Sequence, residues 1–253
     1  MAEVDELDVA DVLPMERETL QERVYRELRQ LLMVGRFRPG QLLKIRDLAA
    51  VFGTSVQPVR ESIRQLIAER ALEAAPNSST RVLQLTPAQL EDLRLVRRTV
   101  EGLAGELAAR AAKPADVAEL TAILDEEQDA DDQRQIEASV SRNMEFHFRL
   151  YRLAGSAELY SIIEGLWLRL GPVMREAAEN FDATGGKGAH HHVDMLKALR
   201  RNDPVALRQA VEQDIDRFFD LILRERESQR SPAPGVRAAV AQRPEKRALV
   251  ARR

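Results

Sequence analysis

Apolar residues recur every three or four positions along most of this chain, which is the spacing of amphipathic α-helices. In the N-terminal third, this spacing predicts three helices. The first has an apolar face made of Val24, Leu28, Leu31 and Leu32. It ends at Gly35, the second covers residues 45–52, and Gly53 makes a tight corner into the third. A helix, a turn that contains glycine and a second helix form a helix-turn-helix.

The third predicted helix has an apolar face and a polar face. We expect Ser55 to cap it, and Pro58 falls in its first turn, where a missing N–H costs no intrahelical hydrogen bond. The apolar stripe contains Val59, Ile63, Leu66 and Ile67. The polar face carries Gln57, Arg60 and Arg64. These groups suit base edges and phosphates, so together with the preceding helix and turn they favour a DNA-recognition helix over an ordinary surface helix.

Two short apolar segments after the third helix predict a β-hairpin. Residues 72–76 and 81–85 would form its strands, and the polar residues 77–80 its tip. Such a hairpin is the wing of a winged helix-turn-helix domain. The side chains that we expect to contact DNA are Arg46, Ser55, Gln57, Arg60, Arg64, Ser79 and Arg81.

From residue 86 onward the spacing stays helical, with almost no strand-like alternation, and predicts a bundle of six or seven helices. Helix starts are indicated by Thr86-Pro87, Lys113-Pro114 and Asp203-Pro204. We predict that the apolar face of the first of these helices contains Leu90, Leu93, Val96, Val100, Leu103 and Leu107. We interpret the acidic residues 125–132 as a solvated helix end and loop, and residues 185–188 as a flexible connection. The predicted fold class is therefore mostly α, a winged helix-turn-helix domain followed by an all-helical bundle.

Charge is distributed unevenly along the chain. The formal net charge is -3. Residues 1–16 contribute -6 and are expected to be disordered, whereas the winged domain, residues 17–85, carries +5. The helical domain, residues 86–224, carries -7, and the tail, residues 225–253, carries +5 and is also expected to be disordered. The basic excess lies where DNA would bind.

Composition excludes several other classes of protein and site. The chain has no cysteine, so disulfides and thiolate metal sites are impossible. It has no run of about 18 apolar residues, and its acidic N-terminus is unlike a signal peptide. We therefore expect a cytoplasmic protein with no membrane partner.

Four polar positions in the predicted bundle are candidates for a metal site. Asn143 and His147 are four residues apart and share one face of a helix, His192 starts another helix, and Asp214 lies among apolar residues of a third. Two imidazoles, a carboxylate and an amide oxygen suit a divalent cation such as Zn²⁺, Ni²⁺ or Mn²⁺. Histidines that only form hydrogen bonds within a core give the same pattern, and this alternative stays open.

Three short motifs occur in a fixed order in the N-terminal domain. They are Pro39-Gly40, Leu48-Ala49 and the run Ser55-x-x-Pro58-Val59-Arg60-Glu61. In order and spacing they resemble the GntR family of transcriptional regulators. Two features depart from the family: Val56 stands where many members have arginine, and the wing tip lacks its frequent glycine. These departures leave the fold in place but remove contacts that other members make with DNA.

The helical region resembles the FCD effector domain of the FadR subgroup in that family. The residues that carry this resemblance are Arg98-x-x-Glu101, Leu107-Ala108-Ala109-Arg110, Phe146-His147, His192, Ala198-Leu199 and Asp203. In many members an aspartate and three histidines bind a metal. The resemblance implies that Asn143 stands for the aspartate, that His147 and His192 are kept, and that Asp214 stands for the last histidine. A structural polar network without metal is the alternative.

The same resemblance assigns Arg98 to an effector site. A guanidinium group binds a carboxylate through two parallel hydrogen bonds, so Arg98 would hold a small carboxylic acid. The alternative is that Arg98 lies on the helix surface and pairs with Glu101 or another neighbour. Of Arg97 and Arg98, one would then be exposed and the other not.

These inferences predict a homodimeric, DNA-binding transcriptional regulator, a repressor, that recognises an inverted-repeat operator and senses a small organic acid. One alternative is a constitutive regulator whose helical domain only dimerises. A second is a metal-dependent enzyme, although no motif places a general base or nucleophile beside the candidate ligands. An acyl-CoA effector is a third, which the retained histidines disfavour.

Overall fold

The computed structural model describes residues 18–75, 79–183 and 190–230 and places nine helices and three short strands in these ranges. In chain order they are α1 (Leu20–Met33), β1 (Leu42–Leu43), α2 (Ile45–Val51), α3 (Val56–Ala68), β2 (Leu72–Ala75), β3 (Ser79–Val82), α4 (Pro87–Ala111), α5 (Pro114–Asp132), α6 (Ile136–Arg152), α7 (Ala157–Ala183), α8 (His190–Arg200) and α9 (Pro204–Arg230). The fold class is the predicted one, a winged helix-turn-helix domain followed by a helical bundle.

The N-terminal domain is organised around the contact between α1 and α3. Thr19 caps α1 reciprocally with Glu22: the Glu22 N–H donates to the Thr19 hydroxyl, and the Thr19 N–H donates to the Glu22 carboxylate. The helix ends where Gly35 adopts a φ of 69°, a left-handed conformation that glycine favours. The core of this domain is formed by Val24, Leu28, Leu32, Val59, Ile63 and Leu66.

The wing is a three-stranded antiparallel sheet with the order β1-β3-β2. Arg81 of β3 lies opposite Leu42 on one side and opposite Glu73 on the other. The second strand of the predicted hairpin, residues 81–85, is shifted, since β3 covers Ser79–Val82. β1 was not predicted because a two-residue strand has no alternation to read. Residues 76–78, at the predicted tip, lie outside the described residues.

Six helices of the C-terminal domain, α4 to α9, form the predicted bundle within the described ranges. α4 starts as predicted, because the Thr86 hydroxyl accepts from the Gln89 N–H and Pro87 occupies the first turn. The most extensive helix pair is α4 with α9. A Cβ on Gly105 would lie 3.1 Å from Val211 Cγ2, so a small residue lets the two helices approach closely.

Two expectations about helix limits were wrong. The acidic residues 125–132 are not a loop, because α5 continues to Asp132 and buries Glu127. α9 continues to Arg230, so the tail predicted from residue 225 begins as a helix. The acidic N-terminus before residue 18, the connection at 185–188 and the tail beyond residue 230 lie outside the described residues.

The inner face of α4 also differs from the prediction. Arg97, Glu101, Ala104 and Ala108 are buried together with Leu90 and Leu93. Val96 and Leu103, predicted to face the core, are 36% and 41% exposed, and Leu95 is 67% exposed. The helix therefore turns small and charged residues inward and part of its apolar stripe outward.

The two domains meet where α1 packs against α7. Gly171 of α7 faces the C-terminal end of α1, and a Cβ there would lie 2.1 Å from the Leu32 carbonyl oxygen. No helix in the described part of the chain is long and apolar enough to cross a membrane.

Candidate metal centre and DNA-binding surface

The polar face of α3 is exposed, and its apolar face is anchored in the N-terminal core. Gln57, Arg60 and Arg64 are exposed, whereas Val59 and Ile63 are buried. Ser62 adds a polar anchor on the buried side, since its hydroxyl lies 3.1 Å from the Gln21 carbonyl oxygen of α1. α3 is thus held against α1 with its amide and guanidinium groups directed away from the core.

The other residues expected to contact DNA have different environments. Arg46 on α2 and Arg81 on β3 are exposed, and Ser79 is partly buried. Ser55 occupies the N-cap position of α3, but its side chain makes no capping hydrogen bond, contrary to expectation. The Gln57 amide donates to the Glu61 carboxylate at 2.6 Å, so this pair occupies one turn of the exposed face.

Three of the four predicted metal ligands meet inside the bundle. His147 comes from α6, His192 from α8 and Asp214 from α9. The two Nε2 atoms are 3.0 Å apart, and His147 Nε2 lies 3.2 Å from Asp214 Oδ2. Two atoms bound to one cation at about 2.1 Å are separated by roughly 3 Å, so these spacings suit a shared cation. The histidine side chains are 1–2% exposed and Asp214 is 20% exposed, which leaves the carboxylate nearest to solvent.

Glu127 orients the His192 ring. His192 Nδ1 lies 2.9 Å from Glu127 Oε2, and both side chains are buried. A carboxylate can only accept a hydrogen bond, so Nδ1 carries the proton and, in the neutral ring, Nε2 presents its lone pair to the cluster. Such a carboxylate behind a histidine is common at metal centres.

A second hydrogen-bond chain orients His147. The Tyr151 hydroxyl donates to Glu101 Oε2 at 2.7 Å, so its oxygen is free to accept from His147 Nδ1 at 3.0 Å. The Trp167 indole N–H donates to the same Glu101 oxygen at 3.1 Å. Arg97 forms a buried ion pair with the Glu101 carboxylate. His147 therefore also directs an Nε2 lone pair toward Asp214.

These two chains bring three hydrogen-bond acceptors together: His147 Nε2, His192 Nε2 and Asp214 Oδ2. While the His192 ring is neutral, they repel one another unless a proton or a metal cation lies among them. Burial opposes the charged imidazolium, but the carboxylates of Glu127 and Asp214 outweigh it and raise the pKa of His192 to about 9. Burial would raise the pKa of Asp214, yet the two histidines hold it well below its usual range. The cluster thus attracts a cation, and a divalent ion would displace the proton of His192.

Asn143, the fourth predicted ligand, lies at the edge of this cluster. Its Nδ2 is 3.5 Å from His192 Nε2 and 3.5 Å from Glu127 Oε1. Its Oδ1 is buried and accepts no hydrogen bond within the described part of the chain. An amide oxygen without a partner beside two imidazoles and a carboxylate fits a divalent cation, so the residues present suit such an ion.

Arg98 does not face the cluster. Its side chain is 41% exposed and pairs with Asp216 at 3.1 Å and Glu212 at 3.3 Å, both on α9. The inward arginine is Arg97, which is 3% exposed and lies over the Trp167 ring, 4.7 Å from its centroid. Position 98 is one residue, or about 100°, away around the helix, so the inward assignment of Arg98 was wrong.

The sequence interpretation missed Glu127, Tyr151 and Trp167, and it named Glu101 only as part of the FCD motif and as a possible partner of Arg98. For Glu127 a signal existed: it lies three and seven residues after Leu124 and Leu120, so it continues the buried stripe of α5. Its position inside an acidic run concealed that spacing.

Models of two protein families match this chain. The model described as "Bacterial regulatory proteins, gntR family" covers residues 20–82, and the FCD domain model covers residues 92–217. The first spans the winged domain, and the second contains all four candidate metal ligands.

Curated relatives are bacterial transcriptional regulators. The HTH-type transcriptional regulator McbR of Escherichia coli K12 is 28% identical over 201 residues, which cover 78% of this chain and 90% of McbR. The Nta operon transcriptional regulator of Aminobacter aminovorans is 30% identical over 192 residues, 74% of this chain and 87% of the relative. The HTH-type transcriptional repressor RspR of E. coli K12 is 23% identical over 203 residues, 79% of this chain and 88% of RspR.

The solved structure of E. coli McbR/YncC matches with a TM-score of 0.78 and 26% identity, over 83% of this chain and all of that chain (100%). A GntR regulator from Rhodococcus sp. RHA1 has the same fold, with a TM-score of 0.68 at 22% identity, over 80% of this chain and 97% of that one. The domains and relatives are those of transcription regulators and not of enzymes.

Proposed function

This chain belongs to the GntR family of transcriptional regulators and carries an FCD domain, and from that premise we propose that it is a dimeric repressor that binds an inverted-repeat operator and responds to a small carboxylic acid. The observation that carries this proposal is the exposed polar face of α3, where Gln57, Arg60 and Arg64 stand on a helix whose other face is buried. Arginine and glutamine at these positions can bind base edges in the major groove.

The dimer would form through the outer face of α4. Leu95, Val96 and Leu103 recur there at helical spacing and are 67%, 36% and 41% exposed. Monomeric proteins rarely leave several large apolar side chains of one helix face in water, and a two-fold axis would bury this face against its own copy. A dimer also has two recognition helices, so each of them can bind one half-site of the operator.

Metal binding is the second part of the proposal. His147, His192 and Asp214 would hold a divalent cation such as Zn²⁺, Ni²⁺ or Mn²⁺, with the Asn143 amide oxygen as a further ligand. The cation would supply the positive charge that the converging acceptors require, together with coordination positions for the carboxylate of a small acid. Because Arg97 is engaged by Glu101 and Arg98 by α9, neither guanidinium group offers a free fork for that acid.

Elemental mass spectrometry of the purified, untagged protein tests the metal assignment. The wild-type protein should carry about one divalent ion per protomer, and His147→Ala should carry none, since the variant removes a central ligand. Equal metal content in both proteins would contradict the assigned ligands.

DNA binding tests the function itself. The probe would be a duplex that the wild-type protein selects from a random-sequence library. Arg60→Ala should lower affinity for it by about 10- to 100-fold because a base contact is lost, while the oligomeric state stays unchanged. Arg200→Ala, which removes an exposed arginine from α8, is the control and should bind as the wild type does. Wild-type binding by the Arg60 variant would refute the recognition-helix assignment.

A further inference from the structure

α7 contacts both the candidate metal centre and the DNA-binding domain. Trp167 on this helix packs against the His147 ring, with 5.2 Å between the ring centroids, and Gly171, one helical turn later, touches α1. We propose that α7 is a lever that transmits occupancy of the centre to the winged domain, with the contact at Gly171 as its pivot. This inference rests on the proposed function, since it assumes that a divalent cation binds at His147, His192 and Asp214.

The first part of the path joins the metal centre to α7. His147 Nδ1, the Tyr151 hydroxyl, Glu101 Oε2 and the Trp167 indole N–H form one continuous hydrogen-bonded chain. Glu101 is 0% exposed, and Trp167 and Tyr151 are each 1% exposed. Water cannot replace a broken bond in so closed an interior, so the partners must move together. A shift of His147 is therefore passed to Trp167.

The second part joins α7 to α1 through the backbone. A Cβ on Gly171 would lie 2.1 Å from the Leu32 carbonyl oxygen and 2.6 Å from Met33 Cα. Just after the end of α1, a Cβ on Gly35 would lie 2.6 Å from the Cβ of Arg175 on α7. The three atoms nearest to such a Cβ on Gly171 all belong to the backbone of Leu32 and Met33, which cannot give way as the end of a flexible side chain can. A movement of α7 therefore displaces α1 directly.

The remainder of the α1–α7 boundary leaves room for rotation about this contact. A groove of about 550 Å³ separates the N-terminal part of α1 from α7, with Tyr25 and Arg29 on one wall and Glu164 and Leu168 on the other. The Arg29–Glu164 ion pair spans it at 3.6 Å, a loose contact between partly exposed groups. Pro172 follows Gly171 and has no N–H to donate to the Leu168 carbonyl, which weakens α7 near the pivot.

α1 carries the recognition helix with it. The Ser62 hydroxyl of α3 lies 3.1 Å from the Gln21 carbonyl oxygen of α1, and the Tyr25 hydroxyl donates to the Glu69 carboxylate at 2.7 Å. A rotation of α1 about Gly171 therefore changes where α3 lies relative to the bundle. In a dimer, the same rotation changes the separation of the two recognition helices.

Hydrogen–deuterium exchange of the full-length protein, with and without saturating Zn²⁺, tests the lever. In the wild type, Zn²⁺ should change amide exchange in α1 and around residues 168–175 of α7, although these lie outside the ligand set. Trp167→Phe keeps an aromatic ring but loses the N–H bond to Glu101. When Zn²⁺ binds to this variant, the change in amide exchange of α1 should be at most half of the change in the wild type.

A glycine pair on α7 tests the pivot. Gly171→Ala must displace the α1 backbone, so it should alter exchange in α1 and affinity for the selected duplex by about 10-fold, while still binding one Zn²⁺ per protomer. Gly165→Ala is the matched control, because a Cβ there has nothing within 4 Å. It should behave as the wild type.

The outcomes separate the lever from the proposed function. The lever is refuted, and the metal site stands, if the wild type binds Zn²⁺ without any change in the amide exchange of α1. The same holds if Trp167→Phe shows the full wild-type change in exchange. Identical behaviour of the Gly171 and Gly165 variants would refute the pivot. If the wild type binds no Zn²⁺, as the titration of the same samples would show, the metal assignment and the lever fail together while DNA binding is unaffected.

Discussion

Glu127 and Asn143 show how the candidate metal centre keeps a negative charge although position 143 is an amide. The resemblance to the FCD domain implies an aspartate at position 143, where this chain has an amide. Glu127, on the neighbouring helix α5, places a buried carboxylate 3.5 Å from that amide and 2.9 Å from His192. The negative charge near the two histidines is therefore supplied from a different helix, and it also fixes the tautomer of His192.

The role of this carboxylate can be measured by substitution. Glu127→Gln keeps an oxygen that accepts from His192 Nδ1 but removes the charge, so affinity for Zn²⁺ should fall by about 10- to 100-fold. Isothermal titration calorimetry would measure this affinity. Glu126→Gln, one residue away on α5 with its side chain 56% exposed, should bind as the wild type does. Equal losses in both variants would point to a general effect of charge and contradict the positioning role.

At the scale of elements, α4 serves two surfaces. Its inner face contributes Arg97 and Glu101 to the buried network, and its glycine and alanine positions allow α9 to pack closely. Its outer face leaves leucine and valine exposed. A helix whose apolar residues point away from its own core indicates a second partner surface.

Charge placed on that outer face should separate the protomers. The double variant Leu95→Glu, Leu103→Glu puts like charges at the proposed dimer contact, and we expect a monomer in sedimentation velocity at micromolar concentration. Ile162→Glu changes an exposed apolar residue of α7, which is 52% exposed, and should remain a dimer. A dimer that survives the α4 substitutions would show that another surface mediates association.

At the scale of the whole molecule, the proposed function requires that the candidate metal centre and the DNA-binding surface influence each other. The two lie in different domains, which meet in a backbone contact between α1 and α7. A coupling free energy of about 1–3 kcal/mol is common in allosteric proteins and changes affinity roughly 5- to 150-fold.

Thermodynamic linkage makes this coupling testable from both sides. Saturating Zn²⁺ should change affinity for the selected duplex by a factor within that range, and saturating duplex should change affinity for Zn²⁺ by the same factor. Fluorescence anisotropy with labelled DNA measures the first factor, and competition with a metal indicator measures the second. If neither ligand affects the other, the metal is structural and regulation must come from another ligand.

The sequence by itself determined the winged helix-turn-helix and the helical bundle, because both depend on periodic apolar spacing and on local turn and cap residues. Gly35, Gly53 and Thr86-Pro87 act within a few residues of themselves, so their effect can be read along the chain. His147, His192 and Asp214 were also found from the sequence, although their selection depended on the resemblance to a known domain.

The tertiary structure decided which polar residues meet. Arg97 rather than Arg98 faces inward because the rotation of α4 is set by its packing on α9, where Gly105 and Ala104 fit and the outer leucines do not. Glu127, Glu101 and Trp167 lie on three different helices, and no local signal joins them to His147 and His192. Hydrogen bonds between residues 45 or more positions apart exist only once the helices have packed, and these bonds define the site.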